Sequence, residues 1–389
     1  MHNFSCDYSE GAHPKILELL FTSNLEQSPG YGEDHYSEEA RRLIQNEIAP
    51  LKAQVYFVAG GTQANLITIA AILRPHEAVI SADTGHINVH EAGAIEATGH
   101  KVLTAQSNDG KLTPALIKPL LVEHADHHMV KPRLVYISNP TEMGTVYTTA
   151  ELDLLAHFCR QYDLLLFLDG ARLGTALASP EQELQLVDVA RYTDAFTIGG
   201  TKNGALFGEA IVLRNPLFQD DFLFHIKQRG GLLAKGRLLG LQFKALFTDN
   251  LYYENARHAN QMAHYLKEGI KDRGYRLLVE CHANLIFAIF PLKLAEYLVK
   301  QYKCSAWQKV GTEICLRIVT SWATEAAAVE QFLADLPPVG QVLNGNFAHN
   351  QTVAALYPAN APGGDTPASR SAKKVQKILS AARAKEAKE

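Results

Sequence analysis

Between residues 54 and 213, short apolar runs rich in Val, Ile, Leu and Phe alternate with longer segments whose apolar residues recur at helical spacing. A strand that is apolar along its whole length is buried on both faces, so this alternation predicts a mainly parallel sheet with helices on either side. Two of the helices are predicted at 62–73 and 149–162. The predicted strands are QVYFV (54–58), AVISA (78–82), KVLTA (101–105), RLVYIS (133–138), LLLFLD (164–169), AFTIG (195–199) and EAIVL (209–213).

The pattern changes after a long helical stretch near residues 232–270. Residues 275–335 read as strand, strand, helix, strand, strand, helix, an order that suits a small α+β domain. The segments are YRLLVE (275–280), ANLIFAIF (283–290), LKLAEYLVKQ (292–301), a run around Trp307, EICLRIVT (313–320) and EAAAVEQFLADL (325–336). We therefore expect a large domain over 1–250 and a small domain over 251–336. Past Leu336, Pro, Gly, Ala, Asn and Ser dominate, which predicts a disordered tail over 337–389 in which the core no longer takes part.

The charge balance and the cysteines limit the partners. Lys and Arg total 37 against 41 Asp and Glu, and this net charge of −4 gives no reason to expect nucleic acid or an anionic membrane as a partner. The last 20 residues differ, with seven basic and two acidic side chains, and predict either a solvated tail or a basic helix that docks on RNA, a membrane or a protein. The five cysteines are scattered without a CxxC pair, so we expect no disulfide framework and no metal. Without a signal peptide or spanning segment in the sequence, we expect a cytoplasmic protein that binds small molecules.

The run GGTQANL (60–66) follows a predicted strand and opens a helix. The free amides at a helix start and the Thr62 hydroxyl make a pocket suited to a phosphate, and glycine lets the backbone approach that phosphate closely. The run lacks the GxGxxG of dinucleotide folds and the GK[ST] of nucleotide-triphosphate loops. A plain strand-to-helix turn is the alternative interpretation.

Asp169 ends an otherwise apolar strand in FLDGARLG (167–174). A carboxylate in that position costs desolvation energy unless a cationic or protonated group faces it. A protonated pyridine nitrogen would be such a group, and the carboxylate would keep it protonated so that the ring accepts electrons. The alternative is a structural pair between Asp169 and Arg172.

Two further elements follow predicted strands. Lys202 lies in FTIGGTKNG (196–204), where Gly199 and Gly200 leave room for a ring and where apolar neighbours favour the neutral amine that forms an imine. His86 lies in TGHINVHEAGA (84–94), and an imidazole there either stacks on a planar cofactor and moves protons or merely packs. Because open α/β sheets bind ligands at the carboxyl ends of their parallel strands, we expect these side chains to meet Asp169 there.

Motifs along most of the chain carry a resemblance to a known family. They are DYSEGAHPKIL, GYGED, GGTQANL, GHINVHEAGAIEATGHK, FLDGARL, GGTKNGALFGEA, KQRGGLLAKG and LRIVTSWATE. Together they resemble the low-specificity threonine aldolases, in the β-eliminating lyase group of fold-type I pyridoxal-phosphate (PLP) enzymes, from about Asp7 to Leu336. The resemblance implies a transferase-like α/β fold with a three-layer large domain and PLP as the cofactor. It also implies homodimers or homotetramers with shared active sites.

For the cofactor, the resemblance implies that Lys202 forms the imine, that Asp169 faces the pyridinium nitrogen and that His86 stacks on the ring. Gly61 and Thr62 match the phosphate-binding pair. These roles agree with the chemistry of each side chain in its motif.

For the substrate, the resemblance places Arg172 beside the cofactor hydroxyl and the substrate carboxylate, and Arg317 on that carboxylate. Bidentate pairing would hold the amino acid with its Cα–Cβ bond perpendicular to the ring. Tyr31 and His128 match residues that line the pocket, often from a neighbouring subunit.

Two positions depart from the family pattern. Many members have a serine where this chain has Cys6, so we expect Ser9, or alternatively Ser5, to take over the carboxylate contact. Lys235 stands where the family usually has a phosphate-binding arginine, and it keeps the positive charge without the forked geometry.

The implied activity is the cleavage of L-threonine, L-allo-threonine and related β-hydroxy-α-amino acids to glycine and an aldehyde, as in threonine catabolism and glycine biosynthesis. The substrate amine would displace Lys202, and His86, or a water that it orients, would take the β-hydroxyl proton. Another PLP reaction on the same scaffold, β-elimination or racemisation, is the enzymatic alternative. A catalytically idle binding or scaffold protein is the alternative from another class.

Overall fold

A computed structural model describes residues 2–179 and 183–343. The strands are β1 (Gln54–Val58), β2 (Glu77–Ala82), β3 (Val102–Ala105), β4 (Lys131–Ser138), β5 (Leu165–Asp169), β6 (Ala195–Gly199), β7 (Glu209–Leu213), β8 (Leu285–Pro291), β9 (Ser305–Val310) and β10 (Glu313–Val319). The helices are α1 (Pro14–Thr22), α2 (His35–Glu47), α3 (Gly61–Ile72), α4 (His86–Val89), α5 (Pro114–Glu123), α6 (Thr149–Gln161), α7 (Leu173–Leu177), α8 (Leu186–Tyr192), α9 (Phe222–Gln228), α10 (Arg237–Phe247), α11 (Leu251–Asp272), α12 (Leu292–Tyr302), α13 (Ala326–Ala334) and α14 (Val339–Leu343).

The large sheet confirms the predicted α/β architecture. Its seven strands run in the order β1-β7-β6-β5-β4-β2-β3, and β7 runs antiparallel to the other six. Every residue of β2, β5, β6 and β7 is buried, because helices cover both faces of the sheet. The carboxyl ends of the parallel strands therefore share one edge of the sheet, and β7 begins at that same edge.

Helix termini follow the local sequence closely. In α6, the Thr148 hydroxyl accepts from the Glu151 amide while the Glu151 carboxylate accepts from the Thr148 amide, which satisfies two end donors reciprocally. By contrast, α3 begins after the extended Gly60 with no side-chain cap. The first amides of α3 are thus free to bind a ligand.

The small sheet is antiparallel, in the order β8-β10-β9. The expected strand over 275–280 is wrong: this segment forms a single bridge, between Leu277 and Ala288. Its pairing with β8 is limited to hydrogen bonds around that bridge, from the Leu278 amide to Phe287 O and from the Ile289 amide to Arg276 O. The buried Tyr275 side chain turns into the core beside Phe290, which directs the chain away from the sheet edge.

Two other boundaries differ from expectation. The helical stretch over 232–270 is broken between α10 and α11, where Asp249 and Asn250 both have positive φ (51° and 59°). Beyond Leu336, the chain stays docked through Pro337, whose carbonyl accepts from the Tyr275 hydroxyl, and continues into α14. The predicted disorder over 344–389 and the basic segment within it lie outside the described residues.

The amino-terminal segment joins the small sheet to the edge of the large one. Phe4 is completely buried against Tyr302 and Phe332, and its carbonyl accepts from the Val319 amide of β10. This contact delivers the next residues, Ser5 to Ser9, to the space between the two sheets. None of the helices in residues 2–179 and 183–343 has the length and apolar character that a membrane crossing requires.

Candidate active site

Four residues that the sequence predicts to be functional lie at one edge of the large sheet, each at the end of a different strand or just after it. Asp169 is the last residue of β5, and Lys202 lies in a 3-10 helix (Thr201–Asn203) that follows β6. Gly61 opens α3 after β1, and His86 opens α4 after β2. Each of these strands is parallel to the others, so their ends meet at one place.

Asp169 is buried in a ring of hydrogen-bond donors. Its Oδ2 accepts from the Tyr136 hydroxyl at 2.6 Å and from Asn65 Nδ2 at 2.8 Å, and its Oδ1 accepts from the Ala171 amide at 2.9 Å. Burial raises the pKa of Asp169, but the nearby His86, the two side-chain hydrogen bonds and Lys202 outweigh it, so the pKa lies below its ordinary value. The carboxylate is therefore ionised at neutral pH and suits a cationic ring nitrogen.

His86 is oriented by two glutamates. Its Nδ1 lies 2.8 Å from Glu91 Oε1, which also accepts from Asn65 Nδ2 at 2.7 Å. Its backbone amide donates to Glu142 Oε1 at 2.9 Å, and burial raises the pKa of that carboxyl. Since Glu91 Oε1 is an acceptor, Nδ1 carries a proton, which leaves Nε2 to accept one in the pocket.

Lys202 is held by its own loop. The neighbouring Asn203 donates to Tyr252 O at 2.7 Å and its carbonyl accepts from Asn255 Nδ2 at 2.9 Å, which fixes the loop on α11. Burial lowers the pKa of Lys202 and Arg172 lowers it further, against the opposing effect of nearby carboxylates. The lowered pKa favours the neutral amine that imine formation needs.

The expected role of Gly199 as a space for a ring is wrong. A Cβ at Gly199 would lie 2.2 Å from Ala171 O, and one at Gly170 would lie 1.9 Å from Thr197 O. These glycines allow the loop after β5 to cross the end of β6 at close range. Open space is found instead at Gly60, where a Cβ would meet nothing within 4 Å.

Arg172 forms a buried ion pair with Asp7. Its Nε donates to Asp7 Oδ2 at 2.6 Å and its Nη2 donates to Asp7 Oδ1 at 3.0 Å, while Asn284 Nδ2 donates to the same Oδ2 at 2.9 Å. Burial raises the pKa of Asp7, but Arg172 and Lys202 outweigh it and hold the pKa below its usual value. The alternative pairing of Arg172 with Asp169 is therefore wrong, because Asp7 from the amino-terminal segment occupies the guanidinium.

Arg317 approaches the same pocket from β10. Its Nη2 donates to Ser5 O at 3.1 Å, and Arg172 and Asp7 are near enough to influence its pKa, which burial lowers. Within the described chain, its buried Nε has no hydrogen-bond partner. Ser9 is exposed and contacts Cys6 Sγ at 3.2 Å. A guanidinium with an unused buried donor suits a carboxylate ligand.

Three expected site residues lie on the surface of the chain. Tyr31 is half exposed beside Lys227, with Nζ 4.7 Å from the ring centre, and its amide donates to Ala234 O next to the exposed Lys235. His128 is exposed in the loop after α5, where its amide donates to Asp126. With His127 and Asp126 it forms an exposed group whose potential metal-ligating atoms lie within 4.8 Å of one another.

Pyridoxal phosphate fits these residues. The uncapped start of α3, with Gly60, Gly61 and the exposed Thr62, offers amides and a hydroxyl to the phosphate. Asp169 offers a carboxylate to the ring nitrogen, and Lys202 offers an amine of lowered pKa to the aldehyde. The arrangement thus provides one group for each reactive part of that cofactor.

Several site residues have no role in the sequence-based interpretation. They are acidic or amide side chains at the sheet edge: the buried Asp7, Asn65, Glu91 and Glu209 and the partly buried Glu142. Their signal is an acidic or amide residue inside a glycine-rich or apolar motif, as in HEAGA and GEAIVL. Only the folded chain reveals which of them face the pocket.

Comparison with known proteins identifies the family. The model of the β-eliminating lyase family matches residues 11–291. The low-specificity L-threonine aldolase of a Pseudomonas strain is 32% identical over 86% of this chain and 97% of its own length. The structure of Leishmania major threonine aldolase has a TM-score of 0.84 and 46% identity, and the match covers 86% of this chain and 98% of that one. An alanine racemase of Cochliobolus carbonum is 26% identical over 59% of this chain and 61% of its own length. The chain is therefore a member of the β-eliminating lyase family.

Proposed function

We propose that this protein is a PLP-dependent aldolase that cleaves L-threonine, L-allo-threonine and related β-hydroxy-α-amino acids to glycine and an aldehyde. The observation that carries the proposal is that two complementary groups lie at the same sheet edge. They are Asp169, an ionised carboxylate that accepts three hydrogen bonds, and Lys202, an amine of lowered pKa. The similarity to threonine aldolases over almost their whole length supports the choice of substrate.

The residues divide the chemistry among themselves. PLP supplies a ring that accepts the electron pair of the breaking Cα–Cβ bond. Asp169 would hold the proton on the ring nitrogen, and Lys202 would hold the cofactor through its amine. His86 Nε2 takes the β-hydroxyl proton, because Glu91 occupies Nδ1.

Two arginines bind the substrate carboxylate in this proposal. Arg317 contributes its unused buried Nε, and Arg172 lies beside it with two of its nitrogens held by Asp7. The ion pair to Asp7 fixes the Arg172 side chain, so that less conformational entropy is lost when the substrate binds. A carboxylate held in this way sets which bond at Cα stands perpendicular to the ring.

The test is product formation by the wild type and by Lys202→Ala. We expect aldehyde and glycine from L-threonine and L-allo-threonine, and we expect Lys202→Ala to lack both the yellow absorbance of bound cofactor and glycine production. A fully active Lys202→Ala variant would contradict the proposal. Pyruvate and ammonia from serine without aldehyde from threonine would favour β-elimination, and loss of optical activity from alanine would favour racemisation.

We propose further that copies of the chain assemble as a homodimer or homotetramer with shared sites. Tyr31 and His128 are exposed in one chain, as residues that serve a neighbouring pocket must be. Leu25 and Phe21 are 93% and 84% exposed, which leaves apolar surface for a second copy to cover.

Complementation tests the shared site. Lys202→Ala and Tyr31→Ala subunits, produced together, form mixed dimers in which one pocket has both residues if Tyr31 acts across the interface. Random mixing then restores about one quarter of wild-type activity. If Tyr31 acts within its own chain, the mixture stays inactive.

Further proposals concern organisation and location. We propose a large domain over 1–250, a small domain over 251–336, a basic tail that is not required for catalysis, and a cytoplasmic location. Deletion of residues 344–389 with retention of aldehyde release supports the tail assignment, and fractionation of the native cell checks the location.

A further inference from the structure

Glu209 is a buried acid at the sheet edge that the proposed mechanism does not use. It is the first residue of β7, and its backbone lies opposite Val58 at the end of β1 and Gly199 at the end of β6. It is 2% exposed. The backbone of Glu209 is therefore held between the strand that leads to α3 and the strand that leads to Lys202.

The side chain reaches the amino end of α3. Glu209 Oε1 lies 3.8 Å from the position of a Cβ on Gly61, which opens that helix. Among the described residues, Glu209 Oε2 is buried without a hydrogen-bond partner. A polar atom left in this state costs free energy unless a ligand satisfies it.

The groups that face Glu209 do not neutralise it. Lys202, in the loop after β6, and Asp169, at the end of β5, both affect the pKa of Glu209. Burial raises the pKa of Tyr252 in α11, and the charge of Glu209 raises it further. Burial raises the pKa of Glu209 to about 8, against the opposing effect of Lys202 and with the support of Asp169. The carboxyl is therefore mostly protonated at neutral pH, and a protonated carboxyl has a hydrogen to donate.

An anion at the start of α3 has opposite effects on the two forms of this carboxyl. The ionised form would repel a phosphate dianion, whereas the neutral acid would donate an O–H to one of its oxygens. The α3 amides and the Glu209 hydroxyl are then donors that converge on the same space. We propose that Glu209 is part of the cofactor's phosphate site and binds the phosphate as a neutral acid.

This inference rests on the placement of the phosphate at α3 in the proposed function. It predicts that phosphate binding takes up one proton once the pH exceeds the pKa of Glu209, because the dianion and the ionised carboxylate exclude each other. The only bond formed is the O–H bond of the Glu209 carboxyl. The proton comes from solvent and stays on the glutamate while the phosphate is bound.

The test is the affinity of the full-length apoprotein for pyridoxine 5′-phosphate, which carries an alcohol in place of the reactive aldehyde. Above about pH 8, the affinity of the wild type should fall about tenfold for each pH unit relative to the affinity of Glu209→Gln. The glutamine keeps a neutral hydrogen-bond donor at every pH. Glu77→Gln, at a buried acid of β2 that starts at the opposite sheet edge, should follow the wild-type curve. Equal slopes for wild type and Glu209→Gln would overturn the inference.

Two controls separate the possible failures. Pyridoxine without its phosphate should show the same pH slope in wild type and Glu209→Gln, and a difference there would mean that Glu209 acts away from the phosphate. Thr62→Val should weaken pyridoxine 5′-phosphate binding, and an unchanged affinity would refute the placement of the phosphate itself rather than the role of Glu209.

A direct measurement covers the case in which Glu209→Gln does not fold. The infrared difference spectrum of the wild type above about pH 8 should gain the carbonyl band of a protonated carboxylic acid when pyridoxine 5′-phosphate binds. Labelling glutamate carboxyl groups with ¹³C should shift that band. Its absence would overturn the inference.

Discussion

Replacing Asp169 with asparagine removes the charge that the proposed function places opposite the ring nitrogen of PLP, and it disturbs a site built entirely of hydrogen-bond donors. The two carboxylate oxygens accept from Tyr136, Asn65 and the Ala171 amide. An asparagine side chain has one oxygen and one NH₂ group. Whichever way the amide is turned, the NH₂ group faces another donor at 2.6–2.9 Å.

This substitution should change both the free energy of unfolding and kcat/KM. Leaving a buried donor without its acceptor should lower the free energy of unfolding by about 1–3 kcal/mol. Losing a preorganised charge opposite the ring should lower kcat/KM for aldehyde release by about 10²–10³-fold, the range found when one fixed electrostatic contact to developing charge is removed. A loss of this size in the free energy of unfolding leaves the protein folded at room temperature. The fall in kcat/KM then reports the lost charge and not unfolding.

The assay is aldehyde release from L-threonine, with urea denaturation of the same preparations. Tyr136→Phe is the matched control, because it removes one donor to Asp169 and leaves the carboxylate in place. We expect Tyr136→Phe to lose less than about tenfold in kcat/KM while it loses stability comparable to that of Asp169→Asn. The absorption spectrum of bound cofactor reports whether each variant is loaded.

Either of two results would refute this reasoning. If Asp169→Asn retained more than about a tenth of wild-type kcat/KM with cofactor bound, the ring would not depend on this carboxylate. If Tyr136→Phe lost as much activity as Asp169→Asn, the hydrogen bond and not the charge would be the important quantity.

Three further substitutions test the packing around the site. Asp7→Asn should lower the free energy of unfolding by about 3–5 kcal/mol, since it leaves Arg172 as an unpaired buried cation. Folding lowers the pKa of Asp7, so its contribution to the free energy of unfolding is present above its unfolded pKa and is lost as the pH falls through the folded value. The free energy of unfolding of Asp7→Asn should therefore depend less on pH below about 4 than that of the wild type. An equal pH dependence of the two proteins in urea titrations would contradict this. Gly199→Ala should fail to give folded protein, because its Cβ would meet Ala171 O at 2.2 Å. Gly60→Ala should keep the wild-type melting temperature and weaken cofactor retention, because a Cβ there meets nothing within 4 Å. Equal melting temperatures of the two variants would contradict the roles given to these two glycines.

The sequence predicts the strands of the large sheet well because each is an almost continuous apolar run. All seven predicted strands are present, with boundaries that differ by at most two residues, as at Lys131 in β4. The small sheet is less predictable, since only Tyr275 of YRLLVE is buried, beside Phe290, and the segment pairs with β8 at a single bridge. A short apolar run alone does not distinguish a strand from such a segment.

The sequence by itself determined the fold class and the placement of Asp169, Lys202 and His86 at strand ends, because strand period and glycine-rich turns are local properties of the chain. Tertiary structure alone decided the partners of those residues. Asp7 and Arg172 are 165 positions apart in the chain, and Asn65 and Asp169 are 104 apart, yet each pair shares a hydrogen bond. No local pattern encodes such contacts, since they arise only when separate loops are brought to one sheet edge. They set the direction in which the pKa of each buried acid is shifted, downward at Asp7 and Asp169 and upward at Glu209.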